Sequence, residues 1–258
     1  SASTITLGSG TNLNIGGTLS VTPSGGTIAQ VDLSPSRVVT VNTAPITTPT
    51  PNSNVAITND APIVVDGDTS TSVVPASNNA TWVVNIAPPN SSGLSNNTYS
   101  LFNINSNGAI LNNSAFADAV TVVTDLSAVI TSNPSLTDPA TVILNQVFST
   151  SASTLNGFLE VAGNSADVLI VNPQGIVCDA CGTINIDRVD LVVGSVSLSN
   201  GNVTTLNTYD VLNTQASGIF QLVGSGIDAT GAAQLSVVAP EAIVEASFNA
   251  KDIFFGLG

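Results

Sequence analysis

Short apolar segments alternate with small polar residues along the whole chain. This period-two alternation is typical of half-buried β-strands. The clearest examples are Ile5/Leu7, Leu13/Ile15, Leu19/Val21, Val168/Ile170, Val189/Leu191/Val193 and Leu235/Val237. Turns of Gly, Asn, Ser and Asp recur between these segments at intervals of about 20 residues, the length of one solenoid coil. The pattern predicts an all-β chain built from stacked coils.

Several segments depart from this regularity. Residues 43–54 are rich in Pro and Thr, which favours an extended connection or an edge segment over a central strand. The apolar phase changes near Arg188, which predicts a corner or a β-bulge. The sequence Thr137-Asp138-Pro139 is a helix-capping signal, so residues 140–147 are predicted to form two helical turns, while residues 116–130 fit helix or strand equally.

These differences suggest two parts. Residues 1–78 are predicted to form a β-rich N-terminal extension or cap, and residues 79–258 a more regular β-solenoid.

The charge composition supports stacked strands and excludes one class of partner. Only 8% of the 258 residues are charged, the basic residues number three, and the net charge is −14. Nucleic-acid binding needs clustered Lys or Arg, so we expect no nucleic-acid partner. Like charges at the strand spacing of about 4.8 Å would repel by about 3.5 kcal/mol at an effective dielectric of 20, whereas neutral Asn and Thr stack without this repulsion. The composition is therefore typical of a solenoid or a fibre.

The sequence offers little for catalysis. Histidine is absent, which removes the commonest general base and zinc ligand, and only three glutamates are present. We therefore predict no enzyme activity, no cofactor and no metal. Asp66-Gly67-Asp68 resembles a fragment of a calcium loop but lacks the further acidic positions, which favours an ordinary tight turn.

Cys178 and Cys181 form the sharpest local motif. A thioredoxin-like redox site would place such a pair at the start of a helix, but strand-like segments flank it here. A zinc site would need a second pair of ligands. A structural disulfide in an oxidising compartment is the favoured interpretation.

From Trp82 onward, a series of motifs resembles the secretion domain of the filamentous haemagglutinin family, the exoproteins of two-partner secretion. Asn133-Pro134-Ser135-Leu136 is similar to the first signature tetrapeptide of the family and departs from it at the third residue. Asn172-Pro173-Gln174-Gly175-Ile176 resembles the second, with Gln174 in place of the usual Asn. Other matching stretches, in family order, are residues 84–87, 93–97, 102–104, 108–113, 143–147, 157–163 and 166–171. Cys178 and Cys181 resemble the cysteine-bearing branch that includes haemolysins and contact-dependent inhibition toxins.

The resemblance, over residues 81–258, implies a fold, a partner and a location. The fold would be a right-handed parallel β-helix with small extra-helical β-strands. The partner would be a POTRA-containing outer-membrane transporter that recognises the unfolded chain in the periplasm through the two Asn-Pro motifs. The chain would then be the secretion domain of an adhesin or toxin of a Gram-negative bacterium, secreted or held at the cell surface, and would continue beyond Gly258.

Three alternatives stay open at this point. An open solenoid end is an unpaired strand edge, so the chain is an alternative candidate for the self-assembling subunit of an extracellular filament. A solenoid lyase or glycosidase is disfavoured by the missing histidine. A host glycan or receptor is a further candidate partner.

Overall fold

We analysed the fold in a computed structural model of the chain. The structure describes residues 63–78, 80–115, 121–208 and 218–257, together with four short N-terminal strands at residues 5–7, 12–15, 19–21 and 31–33. The Pro/Thr-rich segment at residues 43–54 and residues 116–120 lie outside the described residues.

The described residues form 24 β-strands and no helix. In chain order they are β1 (Ile5–Leu7), β2 (Asn12–Ile15), β3 (Leu19–Val21), β4 (Val31–Leu33), β5 (Val64–Val65), β6 (Ser72–Pro75), β7 (Trp82–Asn85), β8 (Leu94–Leu101), β9 (Ala109–Asn113), β10 (Thr121–Val123), β11 (Val129–Thr131), β12 (Val142–Val147), β13 (Ser153–Leu155), β14 (Phe158–Gly163), β15 (Ala166–Val171), β16 (Ile176–Ile184), β17 (Ile186–Val192), β18 (Gly194–Ser199), β19 (Asn202–Thr208), β20 (Phe220–Ala229), β21 (Gln234–Ala239), β22 (Glu241–Val244), β23 (Phe248–Ala250) and β24 (Ile253–Leu257).

Two long sheets, largely parallel, form the walls of a β-helix. Sheet A has nine strands in the order β4-β1-β24-β21-β17-β15-β12-β8-β5. Sheet B has eleven strands, eight of them in the order β2-β22-β20-β16-β14-β9-β7-β6, with β13, β23 and β3 paired beside this path. The chain passes from one sheet to the other at each turn, so every coil adds a strand to both. The predicted parallel β-helix is confirmed.

Antiparallel strand pairs occur at one end of the β-helix and on its outer surface. At the N-terminal end, β5 pairs antiparallel with β8 and β6 pairs antiparallel with β7. The hairpins β10–β11 and β18–β19 form separate two-stranded sheets, which are the extra-helical strands expected from the family resemblance. The predicted division near residue 78 stays a prediction.

Aliphatic side chains fill the interior between the two sheets. One continuous cluster of buried apolar residues extends from Ile63 to Leu257. Aromatic rings are concentrated near its two ends: Tyr99 packs edge-to-face on Phe102, and Phe248 packs edge-to-face on Phe255. Burial of apolar area between coils is the main stabilising contribution, since each coil covers the previous one.

The helix predicted at residues 140–147 is wrong. Residues Val142–Val147 form β12, which lies between β8 and β15 and pairs in parallel with both. The capping signal at Asp138-Pro139 is local, whereas pairing on both sides gives the backbone of β12 long-range hydrogen bonds that a two-turn helix cannot offset. The structure also resolves the described part of residues 116–130, which fit helix or strand equally in the sequence, because residues 121–123 and 129–131 are paired strands.

The predicted irregularity near Arg188 is confirmed as a register shift. Ala166 of β15 pairs with Ile186, but the next residue of β15, Asp167, pairs with Arg188. Asp187 is therefore the extra residue of a bulge, and it shifts the apolar phase by one position.

Candidate functional site: two Asn-Pro turns, a buried disulfide and an anchored hairpin

The first signature motif forms a turn at the corner that leads from sheet B to sheet A. The Oδ1 atom of Asn133 accepts a hydrogen bond from the backbone N–H of Ser135 at 3.0 Å. The carbonyl of Asn133 accepts a second bond from the N–H of Leu136 at 3.2 Å. Pro134 lies between Asn133 and Ser135, and its fixed φ suits the second position of such a turn.

The amide nitrogen of Asn133 ties this turn to earlier parts of the chain. Its Nδ2 donates to the carbonyl of Ile86 at 2.9 Å and to that of Asn112 at 3.1 Å. The backbone N–H of Asn133 donates to the carbonyl of Ser114 at 2.8 Å. One side chain therefore fixes the shape of the turn and its position on the helix.

The second signature motif repeats this bonding pattern at the corner that leads from sheet A to sheet B. The Oδ1 of Asn172 accepts from the N–H of Gln174 at 2.8 Å, and its carbonyl accepts from the N–H of Gly175 at 3.2 Å. Its Nδ2 donates to the carbonyl of Ser151 at 3.1 Å and to the hydroxyl of Ser153 at 3.0 Å.

Gly175 adds a requirement that the first turn lacks. Its φ is +117°, and a Cβ at this position would lie 2.8 Å from the carbonyl oxygen of Ile219. Only glycine meets both conditions without strain, which explains the glycine of the second motif.

Both turns bury their asparagine side chain but differ in the exposure of the two residues that follow it. Asn133 and Asn172 are both 0% exposed. Pro134 and Ser135 are exposed, whereas Pro173 and Gln174 are half-buried. Leu136 and Ile176 close the motifs with buried side chains that join the core. In the folded domain, the asparagine amides that define the motifs are therefore inaccessible from outside.

The cysteines predicted to form a disulfide are bonded to each other within β16, with their Cα atoms 5.6 Å apart. Ala180, between them, has a φ of +55°, and the register with β20 shifts between Asp179 and Cys181. Before the shift β16 pairs with β13, and after it β16 pairs with β14. The disulfide thus spans the bend where sheet B changes direction.

Both cysteines are inaccessible in the folded chain. Cys178 is 0% exposed and Cys181 is 5% exposed. On the neighbouring strand, Gly224 and Gly226 also have positive φ, and a Cβ on Gly224 would collide with the carboxylate of Asp179. The backbone of β20 thereby follows the shape that the disulfide gives to β16.

Glu160 has a structural role that the sequence analysis did not find. Its two carboxylate oxygens accept hydrogen bonds from the backbone N–H of Asp125 at 2.9 Å and of Leu126 at 3.0 Å. Burial raises the pKa of Glu160, and the two backbone hydrogen bonds oppose this rise. The carboxylate holds the tip of the β10–β11 hairpin against β14. The signal of this role in the sequence is a single acidic residue within the otherwise apolar segment 158–163.

Asp66, in the Asp66-Gly67-Asp68 segment, accepts two hydrogen bonds. Its Oδ1 accepts bonds from the N–H of Asp68 at 3.0 Å and from the hydroxyl of Thr98 at 2.6 Å. Within the described ranges, no three His, Cys, Asp or Glu side chains are grouped as metal ligands. The same part of the chain contains no helix of the length and hydropathy needed to cross a membrane.

Comparison with known proteins shows which family and which proteins this chain resembles. Residues 61–257 match the family described as the TPS secretion domain. The chain is 40% identical over 177 residues to a tRNA nuclease CdiA of Yersinia mollaretii, a match that covers 68% of this chain and 6% of that protein. It is 40% identical over 157 residues to a hemolysin of Serratia marcescens, covering 58% of this chain and 10% of that protein.

A solved structure agrees with these matches. The crystal structure of a filamentous hemagglutinin secretion domain superimposes with a TM-score of 0.60 at 34% identity, covering 70% of this chain and 56% of that one. The chain spans about a tenth or less of the length of the curated relatives it matches.

Proposed function

This chain belongs to the family of TPS secretion domains, and from that premise we propose that its transporter reads the two Asn-Pro turns while the chain is still unfolded. A TPS domain is the part of a two-partner-secreted protein that the outer-membrane transporter recognises, and such proteins are secreted or held at the surface of Gram-negative bacteria. The domain is a recognition element and not the catalytic part of these proteins.

Burial of the two asparagines carries this proposal. A transporter that met the folded domain would find Asn133 and Asn172 inaccessible, with each amide nitrogen donating two hydrogen bonds inside the protein. An unfolded chain has not yet formed these long-range bonds, so both amide nitrogens are then free to donate to a partner.

The turn shape, in contrast, does not depend on the fold. The bonds from Ser135 and Leu136 to Asn133 join residues two and three positions apart, and Asn172 accepts equivalent bonds. Local turns of this kind form transiently in unfolded chains. The unfolded motif therefore offers a pre-shaped turn with an unpaired amide.

Secretion of matched variants tests the proposal. Asn133→Ala and Asn172→Ala should reduce export through the transporter and weaken binding of the urea-unfolded chain to isolated POTRA domains. Asn97→Ala is the matched control, because Asn97 is also 0% exposed and donates to Leu144 of the next coil but lies outside both motifs. If all three variants bind POTRA domains like the unaltered chain, the motifs act only in folding.

The relatives suggest what the domain exports. The matched relatives include proteins named tRNA nuclease, toxin and hemolysin. We propose that this domain likewise leads a large toxin or adhesin out of the cell, with a host receptor or glycan as the partner of that larger protein. The length of the open reading frame beyond residue 258 tests this, since a frame that ends there would leave no cargo.

A self-assembling filament is the second candidate. The observation that favours it is β4, which forms the outer strand of sheet A and pairs on one side only among the described strands. Electron microscopy of the purified chain over a range of concentrations decides it. Filaments would support the homopolymer, and dispersed monomers at all concentrations would exclude it.

A further inference from the structure

The first strands of the chain lie at the far end of the β-helix from the strands that follow them. β1 pairs with β24, β2 with β22 and β3 with β23, all in parallel. We propose that β1–β4 form an exchangeable coil that caps the C-terminal edge of the β-helix. This inference does not depend on how the transporter recognises the chain.

The order of the strands identifies this segment as a β-helix coil. The last coil of the helix runs from sheet A through two strands of sheet B and back to sheet A, as β21, β22, β23 and β24. The N-terminal segment visits the same positions in the same order as β1, β2, β3 and β4. The spacing agrees within sheet B, because Asn12 precedes Leu19 by seven residues and Glu241 precedes Phe248 by seven.

The register places apolar residues on buried apolar positions. In sheet A, the Cα partners of Ile5 and Leu7 are Ile253 and Phe255. In sheet B, the Cα partner of Leu19 is Phe248. These positions of the last coil are buried: Phe248 is 0% exposed, Ile253 1% and Phe255 2%. The alternation noted in the sequence thus matches the alternation of the edge that it covers.

An edge of this kind needs a cover. Without β1–β3, the outer sides of β22, β23 and β24 would present unpaired backbone groups along three strands. Unpaired parallel edges template pairing with other chains and promote aggregation. Pairing in this register satisfies the backbone groups on the outer sides of β22, β23 and β24.

The same chain can supply the cover. Leu33 and Ile63 are separated by residues 34–62, which are 29 residues. Eight strand spacings separate β4 from β5 in sheet A, a distance of about 38 Å at about 4.8 Å each, whereas 29 extended residues reach about 96 Å. Because β1–β4 and the edge belong to one polypeptide, pairing within the chain is favoured over pairing with a second copy.

The cap is exchangeable because its position is shared. A coil added directly after β24 would need the same edges of β22 and β23. The N-terminal coil and such a following coil are therefore mutually exclusive, and release of the first would accompany folding of the second. The edge accepts any parallel coil with this register.

Engineered cysteine pairs in the complete 258-residue chain test the cap. Thr6→Cys with Phe254→Cys, and Asn14→Cys with Ile243→Cys, join Cα partners in sheets A and B respectively. Neighbouring strands place such partners within disulfide range. Asn14→Cys with Phe254→Cys is the control, because these residues lie in different sheets. The native disulfide stays intact in all variants because it is buried.

The expected result is a cross-linked monomer for both register pairs after mild oxidation, seen by non-reducing electrophoresis and peptide mass mapping, and none for the control. Locking should also slow amide hydrogen exchange in residues 241–257, and reduction should remove that protection. If neither register pair cross-links, or if they link two chains into dimers and larger species, the cap within one chain is refuted. Equal cross-linking of the control pair would also refute it.

Discussion

Removal of the Asn133 side chain provides a quantitative test of how the turns are held. Asn133→Ala deletes two donated bonds and one accepted bond at a site that is 0% exposed. The two carbonyls that lose a donor belong to Ile86 and Asn112, which are 0% and 1% exposed. Water cannot readily replace the lost donor there, so each carbonyl loses a hydrogen bond without compensation.

The corresponding change at Asn172 should cost less. Its lost partners include Ser151, which is exposed, and Gln174, which is half-buried, so water can satisfy both. Only the hydroxyl of Ser153 is left buried without this donor. At about 1 kcal/mol for a typical bond and up to about 3 kcal/mol for a buried unsatisfied group, we expect losses of about 3 kcal/mol for Asn133→Ala and about 2 kcal/mol for Asn172→Ala.

Equilibrium unfolding in urea measures both losses. Trp82 is the only tryptophan, and it lies in β7, which pairs with β9, so its fluorescence and the far-ultraviolet circular dichroism report on unfolding. The free energies follow from the transition midpoints at unchanged slope. A loss below about 1 kcal/mol for Asn133→Ala, or a larger loss for Asn172→Ala than for Asn133→Ala, would refute the reasoning.

Three further predictions concern backbone strain, pH and oxidation. Gly163 and Gly67 have similar φ values of +87° and +92°, but a Cβ on Gly163 would lie 2.7 Å from the backbone of Ser114, whereas one on Gly67 would meet nothing within 4 Å. Gly163→Ala should therefore lower the free energy of unfolding more than Gly67→Ala, whose backbone strain costs of the order of 1 kcal/mol. Equal losses in urea unfolding would contradict this. Because burial raises the pKa of Glu160 in the folded state, the folded chain binds its proton first, so this group should increase stability as pH falls through the raised pKa towards the unfolded value. Glu160→Gln should remove that part of the pH dependence of thermal unfolding, and an unchanged profile would exclude Glu160 as its source. The Cys178–Cys181 disulfide should resist reductant in the folded protein and react after unfolding, as followed by thiol labelling and mass spectrometry; rapid reduction of the folded chain would contradict this expectation from its burial. Replacement of both cysteines by serine should lower the free energy of unfolding by at most about 2 kcal/mol, because the closed loop is so short.

The part of the fold that the sequence predicts is the part encoded by repetition. Alternation at Val168/Ile170 and Leu235/Val237 continues along the strands and faces the core in every coil, so the β-helix is visible without coordinates. The phase change at Arg188 is visible for the same reason, since one extra residue inverts the alternation. The family motifs add the Asn-Pro turns and the disulfide.

Local signals fail where distant strands decide the outcome. The cap at Asp138-Pro139 favours a helix on its own. However, Val142 of β12 pairs with Leu94 of β8, 48 residues earlier, and with Asp167 of β15, 25 residues later, so the segment becomes a strand of sheet A. No local pattern shows that Glu160 holds the hairpin tip at Asp125, because the two are 35 residues apart.

The sequence by itself therefore determined the β-helix class, the low content of charged residues, the turn motifs and the family, because each is encoded in residues close together or in a repeated pattern. The tertiary structure alone decided which strands meet and what they bury: the burial of Asn133 and Asn172, the position of the disulfide across a bend, and the return of β1 to the far edge of the β-helix. These depend on pairing between segments up to about 250 residues apart, and such pairing is set by the free energy of the whole stack, which no single segment contains.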